Sequence, residues 1–189
     1  MATPHDDLVH YLRAAVPDLR IYQHHESRTS EESFRARAAA GAGWVVGAKA
    51  IVMKVDLRGA ETPHTFALFV LPGNHRIDSR VLKTALREFL PGARSFRFAT
   101  AEEMAAHARG MQPGTMPPFG RPVFPEIGPV FVASALTEHG ELGFNAARLD
   151  RSIVMRTSDY LACARHSGVF AFSDPQEAVA AESGNGPSW

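Results

Sequence analysis

Two apolar segments joined by a short turn constrain the fold most strongly. Residues 44–57 and 65–71 are largely apolar and have the length of β-strands. The turn Glu61-Thr62-Pro63 lies between them, which indicates a hairpin-like connection and antiparallel pairing. Later strand candidates alternate with helical segments, so the strand directions are mixed. The sequence predicts an α+β (mixed α/β) fold, a single domain with a mixed central sheet flanked by helices, rather than a doubly wound nucleotide-binding sheet.

Capping signals mark where several helices begin. Thr29 with Glu32 and Thr100 with Glu103 match the capping box, in which a hydroxyl and a carboxylate satisfy backbone N–H groups of the first turn. Thr157 is predicted to cap the last helix. The other predicted helices occupy residues 6–16 and 79–90. The other strand candidates are residues 19–22, 130–132, 142–145 and 152–155.

The composition restricts the class of protein. The 189 residues are 45% hydrophobic, enough for one well-packed domain, which we place at residues 1–172 with a flexible tail at 173–189. The 20 basic and 20 acidic side chains cancel, so nucleic-acid binding would need a local basic patch. A single cysteine, with no signal-peptide pattern and no membrane-length apolar run, predicts a cytoplasmic protein without a membrane partner. Candidates for the patch are Arg28, Arg35, Arg37, Arg76, Arg80 and Lys83.

Lys49 and Lys54 interrupt the first apolar strand, in the run G-A-K-A-I-V-M-K-V. They fall on opposite faces of a regular strand because side chains alternate. A lysine in such a strand costs desolvation unless it meets an anion or reaches the end of the sheet. Either Lys49 points into a pocket and holds a phosphate, a carboxylate or a polarised carbonyl, or both lysines lie on an edge strand with their charged ends in water.

A stiff loop follows the helix that begins after Thr100. Pro113-Gly114 and Pro117-Pro118 exclude helix and central strand there, and glycine lets the backbone approach a ligand closely. Rigid backbone N–H groups could polarise a carbonyl or stabilise an oxyanion. The same residues also suit an ordinary surface turn.

The remaining reactive residues form no familiar catalytic motif. His24 and His25 are adjacent in a strand, so they face opposite ways and make poor joint metal ligands. The chain contains no HExxH, G-x-S-x-G, P-loop or G-x-G-x-x-G pattern, so no metal or cofactor is predicted. Cys163 with His166 could form a thiol esterase site, but a mid-helix cysteine is more often a small core residue.

The order of these segments resembles the YbaK/EbsC and prolyl-tRNA-synthetase-associated (editing) domain family of trans-acting aminoacyl-tRNA deacylases. The resemblance covers residues 29–161. It rests on T-S-E-E, on G-A-K-A-I-V-M-K, on A-T-A-E-E-M leading to P-G-T-M-P-P-F-G, and on G-F-N-A-A-R-L-D-R-S-I-V-M-R. It implies a mixed sheet flanked by helices, with a pocket for the aminoacyl end of a tRNA.

The resemblance also implies roles for individual residues. Lys49 matches a strand lysine that binds at the reactive end of the substrate, and Lys54 matches a second lysine of the alanine-specific branch. Gly114 and Pro118 match the ends of the family's GxxxP loop, whose backbone positions the ester or the terminal ribose. Asn145 matches the asparagine of the strand that closes the pocket. Four further residues are predicted to shape the pocket: His25, Met53, Met116 and Phe119.

Two positions depart from the family pattern. Ala147 stands where glycine is common after Asn-Ala. His139-Gly140 does not reproduce the His-Pro element of the alanine-specific branch, so Lys54 alone does not assign that specificity.

The family's chemistry suits a chain that has neither a catalytic triad nor a metal motif. An aminoacyl ester is already activated, so hydrolysis needs a positioned water and a stabilised carbonyl oxygen, and the substrate's own ribose hydroxyl helps to activate the water. The sequence therefore predicts a free-standing deacylase that removes a small mischarged amino acid (alanine, cysteine, serine or threonine) from tRNA for proline. The alternative is a non-catalytic module that binds aminoacyl-tRNA or a synthetase. Aminoacyl-tRNA is the expected partner, with a synthetase or elongation factor adding affinity.

Overall fold

The computed structural model describes residues 2–176. Its helices are α1 (Pro4–Ala15), α2 (Ser30–Arg37), α3 (Ser79–Phe89), α4 (Ala101–His107) and α5 (Thr157–Cys163). Its strands are β1 (Arg20–Gln23), β2 (Val46–Leu57), β3 (His64–Pro72), β4 (His75–Ile77), β5 (Ala93–Phe98), β6 (Ile127–Ala133), β7 (Glu141–Asn145), β8 (Arg151–Arg156), β9 (Gly168–Phe170) and β10 (Ser173–Pro175). A π-helical turn (Ala38–Ala42) continues α2, and a 3-10 turn (Ser134–Glu138) follows β6.

An eight-stranded mixed sheet forms the centre of the domain. Its order is β1-β8-β7-β2-β3-β6-β9, and β5 pairs with β2 outside this path. β2 and β3 form the predicted antiparallel hairpin, in register from Ala48 opposite Pro72 to Asp56 opposite His64. β2 with β7, β3 with β6, and β6 with β9 are parallel pairs. The predicted single domain with a mixed sheet flanked by helices is confirmed.

β2 separates two hydrophobic cores because its side chains alternate between the faces of the sheet. Ala48 and Val52 belong to the larger core, which also receives apolar residues of α1, α4 and α5. Met53 and Val55 belong to the second core, which α3 covers. The first half of β2 therefore carries small residues toward the larger core.

The predicted caps are present at α2 and α4 but not at α5. Thr29 and Thr100 each form the complete capping box with the glutamate three positions later. The prediction for Thr157 is wrong, because that residue is the first of the helix and follows Arg156. Its hydroxyl is buried and has no hydrogen-bond partner within the described part of the chain.

Four short strands lie outside the predicted set: β4, β5, β9 and β10. β10 pairs antiparallel with β4, so residues 173–175 of the predicted tail form a strand. The backbone N–H of Gln176 still donates to the Asn74 carbonyl at 2.8 Å. The rest of the predicted tail, residues 177–189, lies outside the described residues. Across residues 2–176, none of the helices has both the length and the apolar character required to cross a bilayer.

Candidate functional site

The central sheet has a gap along one edge of β2. On that edge β7 pairs with β2 at Val46 and Gly47, and β5 pairs with it from Met53 onward. Between these two neighbours, residues 48–52 pair with β3 on one side. On the other side they pair with no strand of the described residues.

Backbone groups of two alanines face this gap. The Gly47 carbonyl accepts a hydrogen bond at 2.7 Å from the residue that follows β3. The Val52 carbonyl accepts one at 3.0 Å from the residue that follows β5, on the opposite side. Because backbone groups alternate in direction along a strand, Ala48 and Ala50 direct their N–H and C=O groups into the gap. Their methyl side chains leave the approach to these groups open.

A cavity of about 420 Å³ opens at the gap. This volume lies within the range of small-molecule sites. Its walls come from α2, β2, β7 and the loop after α4. Within the described residues, the lining contains no aspartate or glutamate, so its charged groups are cationic. The polar and charged residues of the lining include Arg28, Ser33, Arg37, Lys49 and Asn145.

Lys49 is held at the cavity wall by neutral acceptors. Its Nζ donates to the carbonyl of His75 at 2.5 Å and to the carbonyl of Gly73 at 3.4 Å. An ammonium has three N–H donors, so this arrangement leaves one for a ligand. Burial lowers the pKa of Lys49. Among residues 2–176 no carboxylate forms an ion pair with it, so its positive charge is not neutralised by the protein.

Asn145, the last residue of β7, connects three elements around the cavity. Its Nδ2 donates to the Gly114 carbonyl at 2.9 Å and to the Ser33 hydroxyl at 3.4 Å. Its Oδ1 accepts from the Ser152 hydroxyl at 3.4 Å, and the Ser152 Oγ lies 2.8 Å from Nε2 of His24. One amide thereby links the loop after α4 to helix α2 and to strand β8.

The GxxxP loop, residues 114–118, is rigid at both ends. Gly114 has a φ of +85°, and a Cβ there would lie 3.0 Å from the Arg28 carbonyl oxygen, so glycine is required on both counts. At the other end the buried Tyr160 hydroxyl donates to the Pro118 carbonyl at 3.1 Å. Met116, between them, lines the cavity. Pro118 itself does not line the cavity. It is buried, and its carbonyl is held by Tyr160.

Arg37 also lines the cavity, one helical turn after Ser33 on α2. It is 2% exposed, so its placement in a surface basic patch is wrong. Burial lowers the pKa of Arg37 to about 10, which leaves the guanidinium charged at neutral pH.

The predicted site residues therefore divide into two groups. The residues in the cavity wall are Lys49, Gly114, Met116 and Asn145. The roles that the resemblance implies for them stay predictions.

The others lie away from the cavity for identifiable reasons. Met53 is 2% exposed in the second core, because it is on the opposite face of β2 from Ala48 and Val52. Phe119 is 1% exposed in the larger core. Lys54 lies beyond the gap, where β5 pairs with β2, and its Nζ is 3.5 Å from the Glu103 carboxylate. His25 is exposed and outside the lining, and its neighbour His24 joins the Asn145 network instead.

Cys163 does not have the properties of a reactive thiol. It is 7% exposed, and burial raises its pKa to about 11. Its Sγ donates to the Tyr160 carbonyl at 3.6 Å, and Nδ1 of His166 is buried without a hydrogen-bond partner in residues 2–176, so the two side chains do not form a thiol–imidazole pair. The same part of the chain contains no cluster of three or more His, Cys, Asp or Glu side chains that could hold a metal ion.

Sequence reasoning missed Ser33, Arg37 and His24 as members of this site. Ser33 and Arg37 are four residues apart, which places them on one face of a helix. That spacing was the available signal, but an arginine on a short polar helix more often faces solvent.

Comparisons with known proteins identify the family of the chain and match its fold. A model of the aminoacyl-tRNA editing domain family matches residues 24–163. One similar solved structure is that of a proposed trans-editing enzyme for prolyl-tRNA synthetase, with 19% identity, a TM-score of 0.66, and coverage of 92% of this chain and 99% of that one. Another is the hypothetical protein APE2540, with 16% identity, a TM-score of 0.66, and coverage of 88% and 99%. At these identities the structures establish a shared fold. No curated protein shows significant sequence similarity to the chain.

Proposed function

Because the chain belongs to the aminoacyl-tRNA editing domain family, we propose that it is a free-standing deacylase that hydrolyses the ester of a mischarged aminoacyl-tRNA. The finer proposal is that its substrate is tRNA for proline carrying a small non-cognate amino acid such as alanine, cysteine, serine or threonine.

One observation carries the proposal: a cationic cavity that opens at an unpaired strand edge and is bordered by Lys49, Gly114 and Asn145. The 3′ end of a tRNA brings phosphates to such a site, and an aminoacyl group brings an ester carbonyl and an amino group. The cavity offers cations for the phosphates and backbone acceptors at Ala48 and Ala50 for the amino group. The GxxxP loop contributes backbone N–H donors for the carbonyl oxygen.

The reaction is ester hydrolysis. A water oxygen attacks the carbonyl carbon, negative charge builds on the carbonyl oxygen, and the bond to the ribose oxygen then breaks. The water's proton ends on the ribose oxygen, so the products are the free amino acid and tRNA with a free hydroxyl. In this proposal Lys49 and the loop stabilise the developing charge, and the neighbouring ribose hydroxyl activates the water.

Selection of small amino acids would depend on the part of the cavity that β2 and the GxxxP loop border. Ala48, Ala50 and Met116 all line the cavity, and in this proposal they limit the size of the side chain that fits. Exclusion by size alone discriminates by roughly 10- to 200-fold per methylene.

The test uses purified protein and tRNA for proline charged with alanine, cysteine, serine, threonine or proline. Loss of each ester is compared with its spontaneous loss. We expect strong acceleration for at least one small amino acid and none for proline. Lys49→Met should reduce the rate by at least about 100-fold.

Lys54→Met provides the matched variant. It removes the same charge from the same strand, but at a position that pairs with Glu103 outside the cavity. Activity retained by Lys54→Met and lost by Lys49→Met supports the assigned site. If folded wild-type protein accelerates no ester, the deacylase proposal fails. Binding of an amide-linked, non-hydrolysable aminoacyl-tRNA would then support the binding-module alternative.

A further inference from the structure

Arg37 occupies a slot that two glycines create. Gly47 of β2 and Gly143 of β7 are register partners in the parallel pair. A Cβ on Gly143 would lie 2.8 Å from the Nε of Arg37, and a Cβ on Gly47 would lie 3.1 Å from its Nη2. The guanidinium therefore occupies space that a Cβ on either glycine would enter.

The protein provides this cation with no counter-charge. The Nε of Arg37 is buried and has no hydrogen-bond partner among residues 2–176. No carboxylate in the same part of the chain forms an ion pair with it, and no acidic residue lines the cavity. A buried, unpaired charge is costly to a folded protein. Such a group is retained at a cost in stability, which a ligand that supplies the missing anion would offset.

The chemistry of the guanidinium specifies the ligand group. Its planar fork of N–H donors matches the oxygens of a phosphate or a carboxylate. An aminoacyl ester carries a positively charged amino group, which Arg37 would repel. The phosphate on the 5′ oxygen of the terminal adenosine belongs to the same nucleotide as the ester, so it enters the same region.

We propose that Arg37 is the phosphate receptor of the cavity and binds the phosphodiester that precedes the terminal adenosine of the tRNA. This assignment rests on the proposed function for the identity of the ligand. Arg37 then anchors the terminal nucleotide, while Lys49 and the GxxxP loop remain available to the ester.

The first test needs no catalysis. Binding of adenosine 5′-monophosphate and of adenosine is measured by calorimetry on the wild type, on Arg37→Met and on Arg37→Lys. Arg35→Met is the control, because Arg35 is exposed on the same helix. We expect the wild type to bind the monophosphate about 10- to 100-fold more tightly than adenosine. Arg37→Met should abolish this preference, Arg37→Lys should weaken it, and Arg35→Met should keep it.

The second test separates anion binding from a structural role. Arg37→Met removes an uncompensated buried charge, so without ligand it should unfold at a temperature equal to or above that of the wild type. A structural arginine would give the opposite result. In deacylation, Arg37→Met should raise KM and change kcat little.

The outcomes distinguish this inference from the proposed function. Equal binding of the monophosphate and adenosine to the wild type overturns the inference, whether or not the protein is a deacylase. A preference that depends on Arg37, in a protein that hydrolyses no ester, supports the phosphate site and rejects the deacylase. A third outcome is that free alanine competes with nucleotide for the wild type but not for Arg37→Met, and that the wild type shows no preference for the monophosphate. This outcome would assign Arg37 to a carboxylate and overturn the proposal.

Discussion

The side-chain amide of Asn145 donates a hydrogen bond to the Gly114 carbonyl across 2.9 Å. This contact joins the end of β7 to the first residue of the GxxxP loop, two segments that are far apart in the chain. The loop's backbone is thus oriented by a side chain that itself lines the cavity.

We predict that Asn145→Asp lowers kcat/KM by about 10- to 100-fold. The substitution keeps the shape but replaces the Nδ2 donor with an oxygen that repels the Gly114 carbonyl. Deacylation of the best ester is the measurement. Ser152→Ala removes the 3.4 Å contact to Asn145 and the 2.8 Å contact to His24 but leaves the hydrogen bond to Gly114 in place, so it should have a smaller effect. Wild-type activity in Asn145→Asp would show that the loop does not depend on this amide.

The opposite end of the loop offers a stability test. Tyr160→Phe deletes the hydroxyl that donates to the Pro118 carbonyl and leaves a buried acceptor without its partner. We expect the free energy of unfolding to fall by about 1–3 kcal/mol, as measured by urea denaturation. Tyr22→Phe, at a partly exposed position on β1, should change it by less than about 0.5 kcal/mol. Equal effects of the two substitutions would argue against a specific role for the Tyr160 hydroxyl.

Two glycines should respond differently to alanine. Gly143→Ala places a Cβ within 2.8 Å of the Arg37 guanidinium and should destabilise the fold by about 1–3 kcal/mol. At Gly140 the same change meets no atom within 4 Å, so its effect should be small. Thermal unfolding of the two variants checks this. If Gly143→Ala neither destabilised the fold nor weakened nucleotide binding, then Arg37 could leave its slot without loss of stability or of binding.

Acid stability should depend on Glu103. Its carboxylate accepts two hydrogen bonds from Arg97 at 2.7 Å and caps α4, and these contacts lower its pKa from 4.5 to about 2. The folded-state pKa is depressed, so the stabilisation is fully present above about pH 4.5 and is lost as the pH falls toward 2. Glu103→Gln should therefore flatten the stability profile over that window. Glu138→Gln, at an exposed position, should leave the slope unchanged, and an unaltered slope in Glu103→Gln would contradict the prediction.

Much of the fold is predictable because its signals are local. Thr29 and Thr100 form the capping boxes that their spacing predicts, and the turn before His64 gives the antiparallel hairpin. The capping error at Thr157 has a local cause too, since a threonine suits the first helical position as well as the cap. Strand β5 escaped prediction because three arginine and serine residues dilute its apolar pattern and most of it is exposed.

The cavity is less predictable because it depends on long-range pairing. The sequence marks Lys49, Gly114 and Asn145, but the gap that brings them together exists only because β5 and β7 stop short of each other along β2. The burial of Arg37 depends on two glycines that lie on different strands. The residues that surround Arg37 in the sequence do not indicate the space that these two glycines leave for its side chain.

The gap in the sheet also bears on self-association. An unpaired strand edge at the rim of a sheet invites another chain to add to it, which is a common route to aggregation. Here the unpaired stretch of β2 is interior, with β7 at one end and β5 at the other. A foreign strand longer than about 17 Å cannot align with five residues enclosed in this way. The backbone hydrogen-bonding groups on this stretch of β2 are thus accessible to small molecules but not to a long strand of another chain.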